Sequence, residues 1–141
     1  MTVMARVNGI FMRELSTFFQ LVPNNDGILC INDSTDACTT EDNRVFALME
    51  DYFASNGITD ADYDIGHIFV TSLGSDGSTG TLCDDAQKHE GLSGLPDPIG
   101  VRFSVDLVSH GLGRQLNAPI TSRDCAGTSD PEAVEPGSGS T

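Results

Sequence analysis

The stretch from 103 to 117, FSVDLVSHGLGRQLN, constrains the fold most. Val105, Val108, Leu112 and Leu116 recur at three- and four-residue intervals, the one-sided stripe of an amphipathic helix. Pro119 ends it, because proline has no N–H to donate and crowds the turn before it. A helix with such a stripe needs a second apolar surface to cover it, so the chain must supply other packed elements. The opposite side of the same helix carries His110, Arg114 and Asn117.

Those elements are legible on both sides of a long irregular stretch. Met4, Val7, Phe11, Leu15 and Phe18 form a second stripe and predict a helix from 2 to about 16, its aromatics serving as core rather than as a ligand box. FFQLV, PNNDG and ILCI read as strand, turn and strand, a hairpin over 18–31. Thr39 and Thr40 ahead of Glu41 and Asp42 form a helix start, Val45, Leu48, Met49, Tyr52 and Phe53 a buried stripe, and Asn56-Gly57 a stop, so a helix is expected over about 41–56. DIGHIFVTS, 64–72, is apolar on both alternating faces, as in a strand covered on both sides, and His67 within it is expected to be a satisfied core histidine. Residues 74–100 are rich in Gly, Ser, Asp and Pro and read as an irregular surface insert with one short strand near His89 to Leu92. His89-Glu90 opens like a metal motif but is followed by Gly91-Leu92-Ser93 with no second histidine, and 121–141 reads as a loop-rich tail.

At 141 residues this is one domain, 1–141. Seven basic against 21 acidic residues give a net charge of −14, which repels nucleic-acid phosphates and anionic lipid, so neither is an expected partner. No apolar run approaches the roughly 20 residues needed to cross a bilayer. The start, MTVMARVNG, lacks the apolar core of a signal peptide, so an exported form would have lost its signal or carry it upstream. Asp84-Asp85 and Asn24-Asn25-Asp26 lack the spaced ligands of a calcium loop. Cys30, Cys38, Cys83 and Cys125 form no C-x-x-C pair; an even count in such a chain favours disulfides and an oxidising compartment. Three pairings are open, Cys30–Cys38 with Cys83–Cys125 among them, against a reading of free buried thiols.

Two histidines four apart on a helix share a zinc ion in the metzincin pattern H-E-x-x-H-x-x-G-x-x-H, with the glutamate as general base. Laid from His110, that pattern meets Gly111 for the glutamate, Arg114 for the second histidine, Asn117 for the glycine and Ile120 for the third histidine. The flanking segments nevertheless resemble the reprolysin-like zinc metallopeptidases, bacterial secreted ones in particular, in the right order: MARVNGIFMREL, FFQLVPNND, DYDIGHIF, GLSGLPDPIG, FSVDLVSHGLG and EPGSGST. The resemblance implies an α/β (α+β) fold, a twisted mixed sheet flanked by long helices, including a degenerate active-site helix. It also implies a piece of the domain that begins within the first helix and stops before the methionine turn, with zinc as the family cofactor and an extracellular location.

Three functional readings follow. A lone imidazole does not hold zinc, Gly111 has no carboxylate to take a proton and Arg114 puts a cation where a dication belongs, so the first is an inactive domain serving as a binding or assembly module for protein or peptide. In the second, an active zinc endopeptidase completes its metal site with His67, His89 or another copy. In the third, a structural subunit self-associates through an open sheet edge.

Overall fold

The computed structural model describes residues 2–29, 45–71 and 74–118. Helix α1, Val3–Leu15, starts where the Thr2 hydroxyl accepts the Ala5 amide at 3.3 Å and stops at Ser16, left-handed with φ 53°. Val7 and Phe11 are its buried residues, and Phe19 meets Phe11 edge-on at 4.9 Å. Leu15 and Phe18, the end of the predicted stripe, are exposed.

The expected hairpin over 18–31 does not form among the described residues. Both backbone groups of Phe19 are taken by one side chain: Asn8 Oδ1 accepts the Phe19 N–H and Asn8 Nδ2 donates to its carbonyl, each at 2.8 Å. This tether does the work of a strand partner. The Asn-Asp-Gly run closes locally instead, with Asn24 left-handed at φ 65° and a 3-10 helix over Asn25–Ile28. Cys30 and Ile31 lie outside the described residues.

Helix α2, Val45–Ser55, ends as expected at Asn56-Gly57: Gly57 takes φ 76° and the Ile58 amide returns to the Phe53 carbonyl at 2.9 Å. The Thr39–Asp42 start lies outside the described residues.

Three short strands form one mixed sheet in the order β1-β3-β2: β1, Ile68–Val70; β2, Gly74–Gly77; β3, Gly91–Gly94. β1 runs parallel to β3 and β2 antiparallel to it. The predicted strand over 64–72 is therefore shorter, and His67 sits just before it. More is corrected in 74–100. The short strand expected near His89 to Leu92 is found as β3, but the segment is no surface insert, because it supplies the edge strand β2 and the central strand β3, all four of whose residues are buried. The glycines that read as loop are there for close approach: a Cβ on Gly91 would stand 2.2 Å from Gln115 Oε1 and 2.5 Å from His67 Nδ1.

The last helix, α3, is wound as a π-helix over Arg102–Ser109 and as an α-helix over His110–Gln115. Ser104 Oγ donates to the Gly100 carbonyl at 2.7 Å and Ser109 Oγ to the Ser104 carbonyl at 3.0 Å, so hydroxyls take up carbonyls along the wider winding. The burial pattern moves with it: Phe103, Val108 and Leu112 are buried, and Val105 only in part.

Side chains then set the layers. Phe103, Val108 and Leu112 of α3 pack with Val7 and Phe11 of α1, each such side chain contributing roughly 1.5–3 kcal/mol when fully buried. Strand residues alternate faces. Leu92 and Val70 pack with Phe46 of α2, while Phe69 on the other face meets Phe103 of α3 edge-on at 5.3 Å. The sheet lies between α2 and α3, and α1 covers α3. That is the expected mixed sheet flanked by helices.

Candidate functional site

His67, at the entrance to β1, is clamped between β3 and α3. Its Nδ1 lies 2.8 Å from Gln115 Oε1 and its Nε2 2.9 Å from Ser93 Oγ. Gln115 Nε2 donates to the Gly66 and Lys88 carbonyls, which leaves its oxygen facing the imidazole. His67 therefore carries its proton on Nδ1, and Ser93 donates to Nε2. Burial pushes the His67 pKa down to about 4, the Gln115 bond opposing in part. The expectation of a satisfied core histidine holds. A hydroxyl bonded to an imidazole resembles a nucleophile with its base, but Ser93 is 0% exposed, so no substrate reaches it.

Gly111 faces the same cluster. A Cβ there would meet His67 Cε1 at 2.7 Å and Ser93 Oγ at 3.3 Å. The direction in which a general-base glutamate would leave the helix is filled by the imidazole.

His110 and Arg114, four apart, share the other side of α3, where residues at this spacing are neighbours. His110 is exposed and Arg114 partly buried. Arg114 Nη2 donates to Thr79 Oγ1 at 2.9 Å, while its Nε is enclosed without an acceptor among the described residues. The loop carrying Thr79 is stitched to the end of α3: the Gly80 amide donates to the Arg114 carbonyl at 3.0 Å and the Leu82 amide to the Gln115 carbonyl at 3.2 Å. Asn117 caps the helix in a left-handed conformation at φ 71°, its side chain against Gly80.

This donor set does not fit a zinc ion. Zinc requires imidazole, thiolate or carboxylate donors, and the face offers one imidazole, a glycine and a guanidinium that cannot give up its proton. Ile120 lies outside the described residues. Among the described residues there is no group of three His, Cys, Asp or Glu side chains able to hold a metal. Of the alternative ligands, His67 is fully engaged, and His89 is buried with its Nδ1 unpartnered among the described residues. Cys83 is an exposed free thiol; Cys30, Cys38 and Cys125 lie outside the described residues, so the disulfide pairings stay expectations.

Sequence reasoning missed the chain's only lysine. Lys88 is 2% exposed, with its ammonium 2.6 Å from Asp85, 2.5 Å from the Asp60 carbonyl and 4.5 Å from the centre of the Tyr63 ring. Burial, helped by the Asp60 carboxylate, pushes the Tyr63 hydroxyl up to about 12. Gln115 was also missed, although its place four residues after Gly111 puts both on one helix face.

A family model for metallo-peptidase family M12B, reprolysin-like, matches residues 1–119. The chain belongs to this reprolysin-like metallopeptidase family. No curated protein and no solved structure matches it.

Proposed function

We propose that this reprolysin-like domain is catalytically inactive and acts, exported from the cell, as a noncatalytic module that binds protein or peptide. The observation that carries the reading is Arg114. A permanent cation, half-buried and held by Thr79, stands one helical turn from His110, where a metal would need a second neutral donor. Gly111 adds to it, since there is neither a carboxylate to activate water nor room for one beside His67. Export is supported by the family, whose members are typically extracellular.

The reading is tested by incubating the purified chain with a mixed peptide library, with and without added zinc. No cleavage is expected in either arm. Cleavage that a chelator abolishes would return the domain to the working peptidases.

A second reading, self-assembly, is favoured by one observation: the outer edges of β1 and β2 have no partner strand among the described residues. Concentration-dependent oligomers of fixed size in light scattering would support it, and a monomer at every concentration would remove it.

A further inference from the structure

The binding-module reading leaves open what the cationic face of α3 binds, and the ion-pair pattern narrows it. Acids outnumber bases 21 to 7, so a basic side chain has carboxylates to choose from. Lys88 takes Asp85 and Asp60, and Arg13 takes Glu14. Arg6, Arg102 and Arg114 take none among the described residues: Arg6 is bonded to the Ser104 hydroxyl and Arg114, partly buried, to the Thr79 hydroxyl, and of the three only Arg114 has an enclosed donor, Nε, with no acceptor among those residues. A charged donor left unpaired away from water is costly, and a guanidinium has five N–H donors arranged as a fork that fits a carboxylate. His110 stands exposed one turn earlier on the same face and keeps at least one N–H in either protonation state. Glu90, in the strand-connecting segment beside this loop, is occupied by Ser78, and Asp106 forms no ion pair with His110 or Arg114.

Resting on that reading, we infer that Arg114 and His110 form a binding site for a single carboxylate, supplied by a peptide C-terminus or by a free small acid. A singly charged planar anion suits the donors at the Nη end, where the bond to Thr79 is exposed, and the enclosed Nε reports on it from behind. The chain's −14 charge disfavours a dianion more strongly, though screening over roughly 8 Å at physiological salt confines the repulsion to nearby acids.

The test follows the enclosed Arg114 Nε–H by nitrogen-15 NMR on the full chain, the signal being assigned by its loss in Arg114→Lys. Acetate, an acetylated dipeptide with a free C-terminus, the same dipeptide as its amide, and inorganic phosphate are titrated in turn. The free-acid dipeptide should shift the Arg114 and His110 signals to saturation and the amide should not; acetate performing as well would assign the site to free acids. Arg114→Gln should abolish the response, and His110→Ala, at an exposed position, should weaken binding while the signals around His67 stay in place. Equal binding of the amide, phosphate outcompeting the acids, retained binding in Arg114→Gln, or no shift with any carboxylate would each overturn the inference. These outcomes are separable from the reading it rests on: chelator-sensitive cleavage defeats the module itself, whereas a domain without peptidase activity and without carboxylate binding defeats only this site.

Discussion

His67 is the residue on which most of the site turns, and its titration has a defined sign. Its pKa falls from the ordinary 6.5 to about 4 on folding, so between these values the unfolded chain holds more protons than the folded one. Stability should be fully present above pH 6.5 and fall as the pH drops toward 4, by on the order of 3 kcal/mol. Asp62, whose pKa its Thr59 bonds lower, loses its contribution only as the pH falls below the usual carboxylate range, so the upper part of the window belongs to His67. Urea unfolding of the native chain and of His67→Asn across this window checks it: the variant should show a much flatter slope above pH 4.5. The glycines around the imidazole give a second test. Gly111→Ala and Gly91→Ala force a methyl against His67 and Gln115 and should cost about 1–3 kcal/mol, Gly91 the more. Gly113→Ala, whose Cβ would meet only Ala118 at 3.9 Å, should be neutral or stabilise by up to about 1 kcal/mol through helix propensity. Equal midpoints for Gly111→Ala and Gly113→Ala would mean His67 does not fill the place assigned to it. The role of His67 as core was legible from its apolar surroundings; its partners were not, because Ser93 and Gln115 are 26 and 48 residues away.

Among elements, the regular stripes were legible and the side-chain substitutes for backbone pairing were not. Helices α1 and α2 follow their apolar periodicity and stop where the sequence stops them. The hairpin reading failed because hydrophobicity and turn residues report a tendency to extend and reverse, not who accepts the hydrogen bonds; Asn8 accepts and donates them here. Asn8→Ala should cost about 1–3 kcal/mol and expose the Phe19 amide to rapid hydrogen exchange. Unchanged protection at Phe19 would remove the tether. The short strand expected near His89 to Leu92 is found as β3, but its buried, central place was not legible: Gly91 and Gly94 signal a loop in isolation, yet Gly91 is required by the side chains that cross it. Lys88 anchors the turn leading into that strand, with the stem and charge both enclosed. Lys88→Ala should cost about 3 kcal/mol, with Lys88→Met recovering part through packing of its stem, whereas Arg13→Ala on the surface should change little. A Lys88→Ala midpoint as high as that of the native chain would make the buried ion pair incidental.

Taken as a whole molecule, the chain belongs to the reprolysin-like family and has a mixed sheet flanked by helices, with His110 and Arg114 on one face of α3. The family and a mixed sheet flanked by helices could be read from the sequence through the resemblance of several segments in the right order along it; which helix covers which face could not. Gly111 and Arg114, where the resemblance puts a glutamate and a histidine, could be read too, but their surroundings needed the structure: Gly111 is packed against His67, and Arg114 is fixed to the loop at Thr79. Placing a glutamate at 111 therefore displaces the imidazole as well as adding a carboxylate. The central proposal is that the His110, Gly111 and Arg114 face holds no zinc. Metal analysis of the full chain after equilibration with excess zinc and exhaustive dialysis tests it most directly. The expected result is zinc far below stoichiometric amounts and a stability unchanged by chelator; one tightly held zinc per chain, with chelation lowering the unfolding midpoint, would contradict the account.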